Sequence, residues 1–162
     1  MDLSALIGVL ASEWGYLGIF FAQLISYATI ILPLPGIALV FFYGAVLNPF
    51  LVGLFAAFGA AFGELVGYGA GYGGNFILTR RDKAWAKKTK DWFKKYNPFF
   101  VILALASIPF PFDVVGILCG LLRYDVRKFW LAVFTGNFIK LTVVALGGFY
   151  GLHWVLKFFG GA

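Results

Sequence analysis

A chain of 162 residues that is 62% hydrophobic and 20% aromatic, with 12% charged residues and a net charge of +6, has the makeup of an integral membrane protein. Its mean hydropathy of +0.90 and its charge-free runs, the longest covering residues 14–63, exclude a soluble domain. One cysteine, Cys119, and one histidine, His153, allow no intrachain disulfide and no metal-ligand spacing.

Met1-Asp2 opens with an acid where a secretory signal carries basic residues, so the N-terminus is read as part of the mature protein. The first apolar piece, 17–32, ends at Pro33-Leu34-Pro35-Gly36, and the next, 37–47, ends at Asn48-Pro49. At roughly 1.5 Å per residue the second piece cannot cross a hydrocarbon core of about 30 Å. Residues 50–78 are long enough to span with tilt. The second half has the same shape: 99–108 is short, Pro109-Phe110-Pro111 interrupts, 114–122 is short again, and 126 to 158 is long. Two short apolar pieces meeting at a Pro-x-Pro predict a re-entrant hairpin, whose irregular tip must be satisfied by protein or water.

The halves align without gaps at an offset of 76: Pro33 on Pro109, Pro35 on Pro111, Gly44 on Gly120, Phe58 on Phe134, and Glu64 on Lys140. One hairpin and one spanning helix per half makes the two repeats inverted. The expected fold is therefore an all-α integral membrane protein of one domain, 1–162, with repeat one at 15–78, an amphipathic connector at 79–96 and repeat two at 97–158. This topology puts the basic residues 80–95, Arg123, Arg127 and Lys128 on one face, which the positive-inside rule makes cytoplasmic. If residues 3–32 span fully, the N-terminus lies on the cytoplasmic side as well. In the connector, Trp85, Trp92, Phe93 and Tyr96 form one stripe among lysines that include Lys87 and Lys88, as expected of a helix in the headgroup layer attracted to anionic lipid. A segment tethered at both ends to membrane helices does not suit nucleic acid.

Three ionisable residues fall at depth: Glu64, Lys140 and Asp113. A charge at the bilayer centre costs about 2.5 to 3.5 kcal/mol on insertion scales, so each needs a partner or a task. Glu64 and Lys140 form either a buried ion pair or the charged lining of a polar cavity. Asp113 is either a helix cap after Pro111 or a proton or cation site at the hairpin tip. Helices starting after Pro35 and Pro111 aim their N-termini at the protein centre, where such ends favour anions. Glu64, Asp113, Lys140, Arg123 and Asn137 make up the candidate substrate and proton path, with Pro33, Pro35, Gly36, Pro109 and Pro111 at the hairpin tips.

The stretch "IPFPFDVVGILCGLLRYDVRKFWLAVFTGNFIK" resembles the second half of the YqaA branch of the DedA superfamily, also called VTT or SNARE-associated Golgi proteins. "GAAFGELVGYGAGYGG" is similar to that family's glycine-rich segment, in which an acid takes the place of Glu64. The resemblance covers residues 30 to 151. It implies facing re-entrant hairpins in inverted repeats, lipid scrambling or flipping, and in bacterial members proton-dependent recycling of undecaprenyl phosphate or related lipids. Two features depart from the larger DedA branch: Ile37 follows Gly36 where that branch has an acid, and Ser107 and Phe112 stand where it has arginines.

The expected function is movement of a lipid with a phosphate headgroup between leaflets of the cell membrane. The competing classes are a coupled transporter of a small solute and a non-transporting scaffold. No nucleophile, metal or histidine constellation suggests an enzyme, and no cofactor is expected. Membrane lipids are the expected partners, and the sequence leaves homo-oligomerisation open.

Overall fold

The computed structural model describes residues 15–29, 36–73, 87–88, 91–93, 95–108 and 113–159, with backbone alone for Asp113 and 152–159. Among the described residues the chain is helical, without strands, and its main elements are α1 (Gly15–Ala28), α2 (Gly36–Val46), α3 (Pro49–Tyr72), α4 (Pro98–Ser107), α5 (Asp113–Leu121) and α6 (Val126–Phe159). The expected order of two short pieces and one long piece, twice over, is present, with ends shifted by a few residues. Pro33, Pro35, Pro109, Pro111, Trp85 and the part of 3–32 before Gly15 lie outside the described residues.

Local chemistry sets the boundaries. Asn48 accepts from the backbone N–H groups of Phe50 at 3.0 Å and Leu51 at 3.3 Å, and Asn97 accepts from that of Phe99 at 3.0 Å. In both cases proline follows, where the missing N–H is no loss. α3 runs to Tyr72, with Gly73 as its C-cap residue donating its N–H to Gly69 O at 3.0 Å. With 24 and 34 residues, α3 and α6 measure about 36 and 51 Å at 1.5 Å per residue. α1, α2, α4 and α5, of 14, 11, 10 and 9 residues, reach at most about 21 Å and cannot cross alone.

α3 and α6 cross antiparallel at the centre: Tyr68 meets Phe129 at 5.1 Å, Phe58 meets Phe134 at 4.6 Å, and Gly53 meets Thr142. α1 runs beside α3 in the same direction, with Tyr16 stacked on Phe55 at 5.5 Å and Leu24 and Tyr27 against Gly63. α4 and α2 pack on α6, and α5 packs on α3. A Cβ on Gly44 would strike the backbone of Ala145, and one on Gly120 the backbone of Tyr68 and Tyr72. Glycine is required at these crossings because the helices meet backbone to backbone.

The apolar interior forms two clusters. One gathers Ile19, Val40, Val52, Ala56, Ala60, Leu141 and Ala145. The other holds Ala61, Tyr68, Leu105, Val115, Phe129 and Val133, with Trp92 and Phe93 of the connector packed on it.

Two predictions follow from this packing. A Cβ on Gly63 would lie 2.7 Å from Leu24 O, whereas one on Gly69 meets nothing within 4 Å. Gly63→Ala is therefore expected to destabilise the solubilised protein by about 1–3 kcal/mol, and Gly69→Ala to be neutral or to stabilise it by up to about 1 kcal/mol, read by thermal unfolding in detergent. At the start of α6, Asp125 accepts from the backbone N–H groups of Lys128 at 3.0 Å and Arg127 at 2.9 Å. Those two bonds, the Lys128 one foremost, hold its carboxyl below the ordinary carboxylate range against a smaller opposing effect of burial. A lowered folded pKa gives stability that is complete above the unfolded value near 4 and is lost as pH falls through the folded one. Wild type should lose thermal stability below about pH 4 more steeply than Asp125→Asn, which caps without titrating.

Candidate functional site

Between the two clusters lies a polar seam. On α3, Glu64 stands one turn from Ala60 in the first cluster and one turn from Tyr68 in the second, and is 2% exposed. On α6, Asn137 stands one turn from Val133 and one from Leu141, in the same two clusters, and is 1% exposed. The antiparallel crossing sets Glu64 toward the Phe129 end and Lys140 toward the Thr142 end. Lys140 spans that gap with its long side chain: its Nζ lies 5.5 Å from the Tyr27 ring centroid, and Tyr27 abuts Gly63, the neighbour of Glu64. The acid and the base lie within Coulombic reach of each other. α5 closes the acid's other side, with Gly116 placed so that a Cβ would lie 3.4 Å from Glu64 Oε2.

Several buried polar groups in and beside the seam keep unused hydrogen-bonding capacity. Both side-chain amide atoms of Asn137, Thr142 Oγ1 and Gln23 Oε1 are buried without a hydrogen-bond partner among the described residues. Unsatisfied buried polar groups cost about 1–3 kcal/mol each, so they mark a place where water or a polar ligand belongs.

Family membership follows from a match of residues 34–150 to the VTT domain. The chain belongs to the VTT domain family. No curated protein and no solved structure matches it. The VTT family is membrane-associated, in keeping with the two long apolar helices, Pro49–Tyr72 and Val126–Gly151. The VTT match begins at the break between α1 and α2, so it contains Glu64, Asp113, Asn137 and Lys140 and leaves out α1.

The structure brings Glu64, Asn137 and Lys140 to the seam of the VTT domain. Asp113 opens α5 as its first helical residue, where the sequence suggested a cap just before the helix. Arg123 stands apart. It is exposed, just past the end of α5, with its guanidinium carbon 5.3 Å from the Tyr72 ring centroid. Its φ of 51° and the bonds from Arg123 N to Gly120 O and Tyr124 N to Cys119 O form a left-handed helix stop usually given to glycine. Lys87 and Lys88 are exposed, and Lys88 Nζ lies 5.2 Å from the Trp92 ring, whose other contacts are with the protein interior.

Sequence reasoning missed Gln23 and Thr142. A search for charge passes over both, although Gln23, an amide within the uncharged 14–63 run, is a signal of the same kind as a buried charge. If Glu64 and Lys140 act on each other across the seam, Glu64→Gln and Lys140→Met should each lower the melting temperature, and the double variant should lose less than their sum. A double-mutant cycle in detergent is expected to give a coupling of roughly 0.5–3 kcal/mol, and additivity would show that they do not interact.

Proposed function

We propose that this VTT protein moves a lipid with a phosphate-bearing headgroup, such as a polyprenyl phosphate or a phospholipid, between membrane leaflets. The observation that carries the reading is the polar seam: an acid, a base and buried amide atoms without a partner among the described residues, in a bundle whose outer face is apolar. Phe21, Phe42, Phe62, Val143 and Tyr150 are among the large side chains that face outward. The headgroup crosses by the seam while its tails stay in lipid. Lys140 attracts the phosphate, and Glu64 and Asp113 adjust the charge of the path by taking up protons.

The fold we propose for this task is a pair of inverted repeats with re-entrant hairpins, α1–α2 and α4–α5, in the manner of the YqaA branch. Exchange of the second arms supports it, α2 and α5 each lying on the long helix of the other repeat. Under the offset of 76, Gly44 corresponds to Gly120, and their contacts, Ala145 and Tyr68, fall within one residue of equivalence. Phe58 and Phe134, which also correspond, meet each other at 4.6 Å, as residues beside a two-fold axis do. In this arrangement the connector and Arg123 lie on the cytoplasmic side, with Lys87, Lys88, Trp85 and Trp92 at the anionic lipid surface.

Reconstitution tests the reading. Wild type in proteoliposomes is expected to exchange fluorescent phospholipids or a polyprenyl phosphate between leaflets with a pH-dependent rate, and folded Glu64→Gln and Asp113→Asn to be slowed at least tenfold. Absence of exchange with every lipid, alongside uptake of a small solute, would transfer the seam to the solute-transporter reading.

A further inference from the structure

One group in the seam has a fixed orientation and half its hydrogen-bonding capacity unused. Gln23, 0% exposed, donates from Nε2 to the backbone carbonyl of Gly36 at 2.7 Å. A carbonyl can only accept, so the amide cannot turn over without losing that bond, and Oε1 is the atom presented elsewhere. Oε1 is buried and has no hydrogen-bond partner among the described residues.

Its surroundings are those of a small polar corner. Gly36 is the first residue of α2, an 11-residue helix whose first-turn N–H groups have no intrahelical partner. A Cβ there would lie 3.1 Å from both amide atoms of Gln23 and 3.0 Å from Ser26 Oγ. Ser26 donates its own proton to Ala22 O at 2.7 Å, so it too presents lone pairs. The corner therefore offers N–H donors on the α2 side and acceptors on the α1 side. A phosphate oxygen suits the first, and only a group with a proton to give suits the second.

We propose that Gln23 reads the headgroup for a hydrogen-bond donor. Heads that keep an N–H or O–H beside the phosphate, a primary ammonium or a P–OH, satisfy Oε1 as they pass. A phosphodiester bearing a quaternary ammonium cannot, and leaves the acceptor buried and bare. Gln23 is thus a specificity-determining residue on α1, outside the stretch matched to the VTT domain. The transport half of this inference rests on the lipid-moving reading, and the binding half does not.

The test uses tail-labelled phosphatidylethanolamine, its N,N-dimethyl derivative and phosphatidylcholine, which share one net charge and grow by methyl groups. Binding is measured to the full chain in detergent and leaflet exchange in proteoliposomes. The dimethyl lipid, with one N–H left, should behave like phosphatidylethanolamine, and phosphatidylcholine should fall by roughly fivefold or more. Gln23→Leu should flatten the series, and so should Gly36→Ala, whose added methyl pushes the amide aside. A second arm, phosphatidate against phosphatidylmethanol, reads the P–OH source separately from the ammonium.

A graded decline with each methyl that persists in both variants would be steric and would overturn the inference, as would equal behaviour of all three lipids in wild type. Exchange without a step sinks the Gln23 role alone. A Gln23-dependent step in binding without any exchange keeps that role and overturns the transport reading.

Discussion

In a bilayer, helices gain little from hiding apolar surface, because lipid tails are as apolar as leucine, so their association depends on how closely backbones approach. That constraint falls most heavily on α3. Its glycines face three partners in turn: Gly53 lies on α6, Gly59 and Gly63 on α1, and Gly71 on Ile117 of α5. The spacing of glycine along one helix thereby distributes α1, α5 and α6 around it. The aromatic row of Phe58, Phe62, Trp130 and Phe134 then fills the open side of the α3–α6 crossing.

Close packing leaves little room for water, which sharpens the contrast at the seam. The two clusters are built from alanine, valine, leucine and aromatic side chains, and neither takes up the carboxylate or the amides between them. Burying Gln23, Glu64, Asn137 and Thr142 is a standing expense for the fold.

The outline of the fold was legible because it rests on length and interruption. Apolar runs too short to cross, set off by Pro-x-Pro, and runs long enough to cross give the order of α1 to α6 directly. Glu64 and Lys140 were legible because a charge in such a run is conspicuous. Partnership was harder to read. Nothing in 37–47 announces that α2 lies on α6, because its glycine at 44 shows a close contact and not with whom. The polar seam was only half visible for a related reason: Gln23 and Thr142 carry no charge, and their burial depends on neighbours distant in sequence. Arg123, conspicuous as a cation behind the second hairpin, belongs to a surface turn, where backbone hydrogen bonds set its place.

The packing of α2 on α6 also bears on how the chain is made. α5 emerges after α3 and finds its partner waiting, but α2 must reach Ala145, whose codon lies about a hundred residues beyond that of Gly44. At roughly 5–20 residues per second that is a delay of about 5 to 20 seconds, during which α2 lacks the helix it packs on. With 11 residues α2 is too short to span, and it waits through that interval without its main packing partner. The order of assembly, as much as the close packing itself, therefore turns on the glycine at position 44.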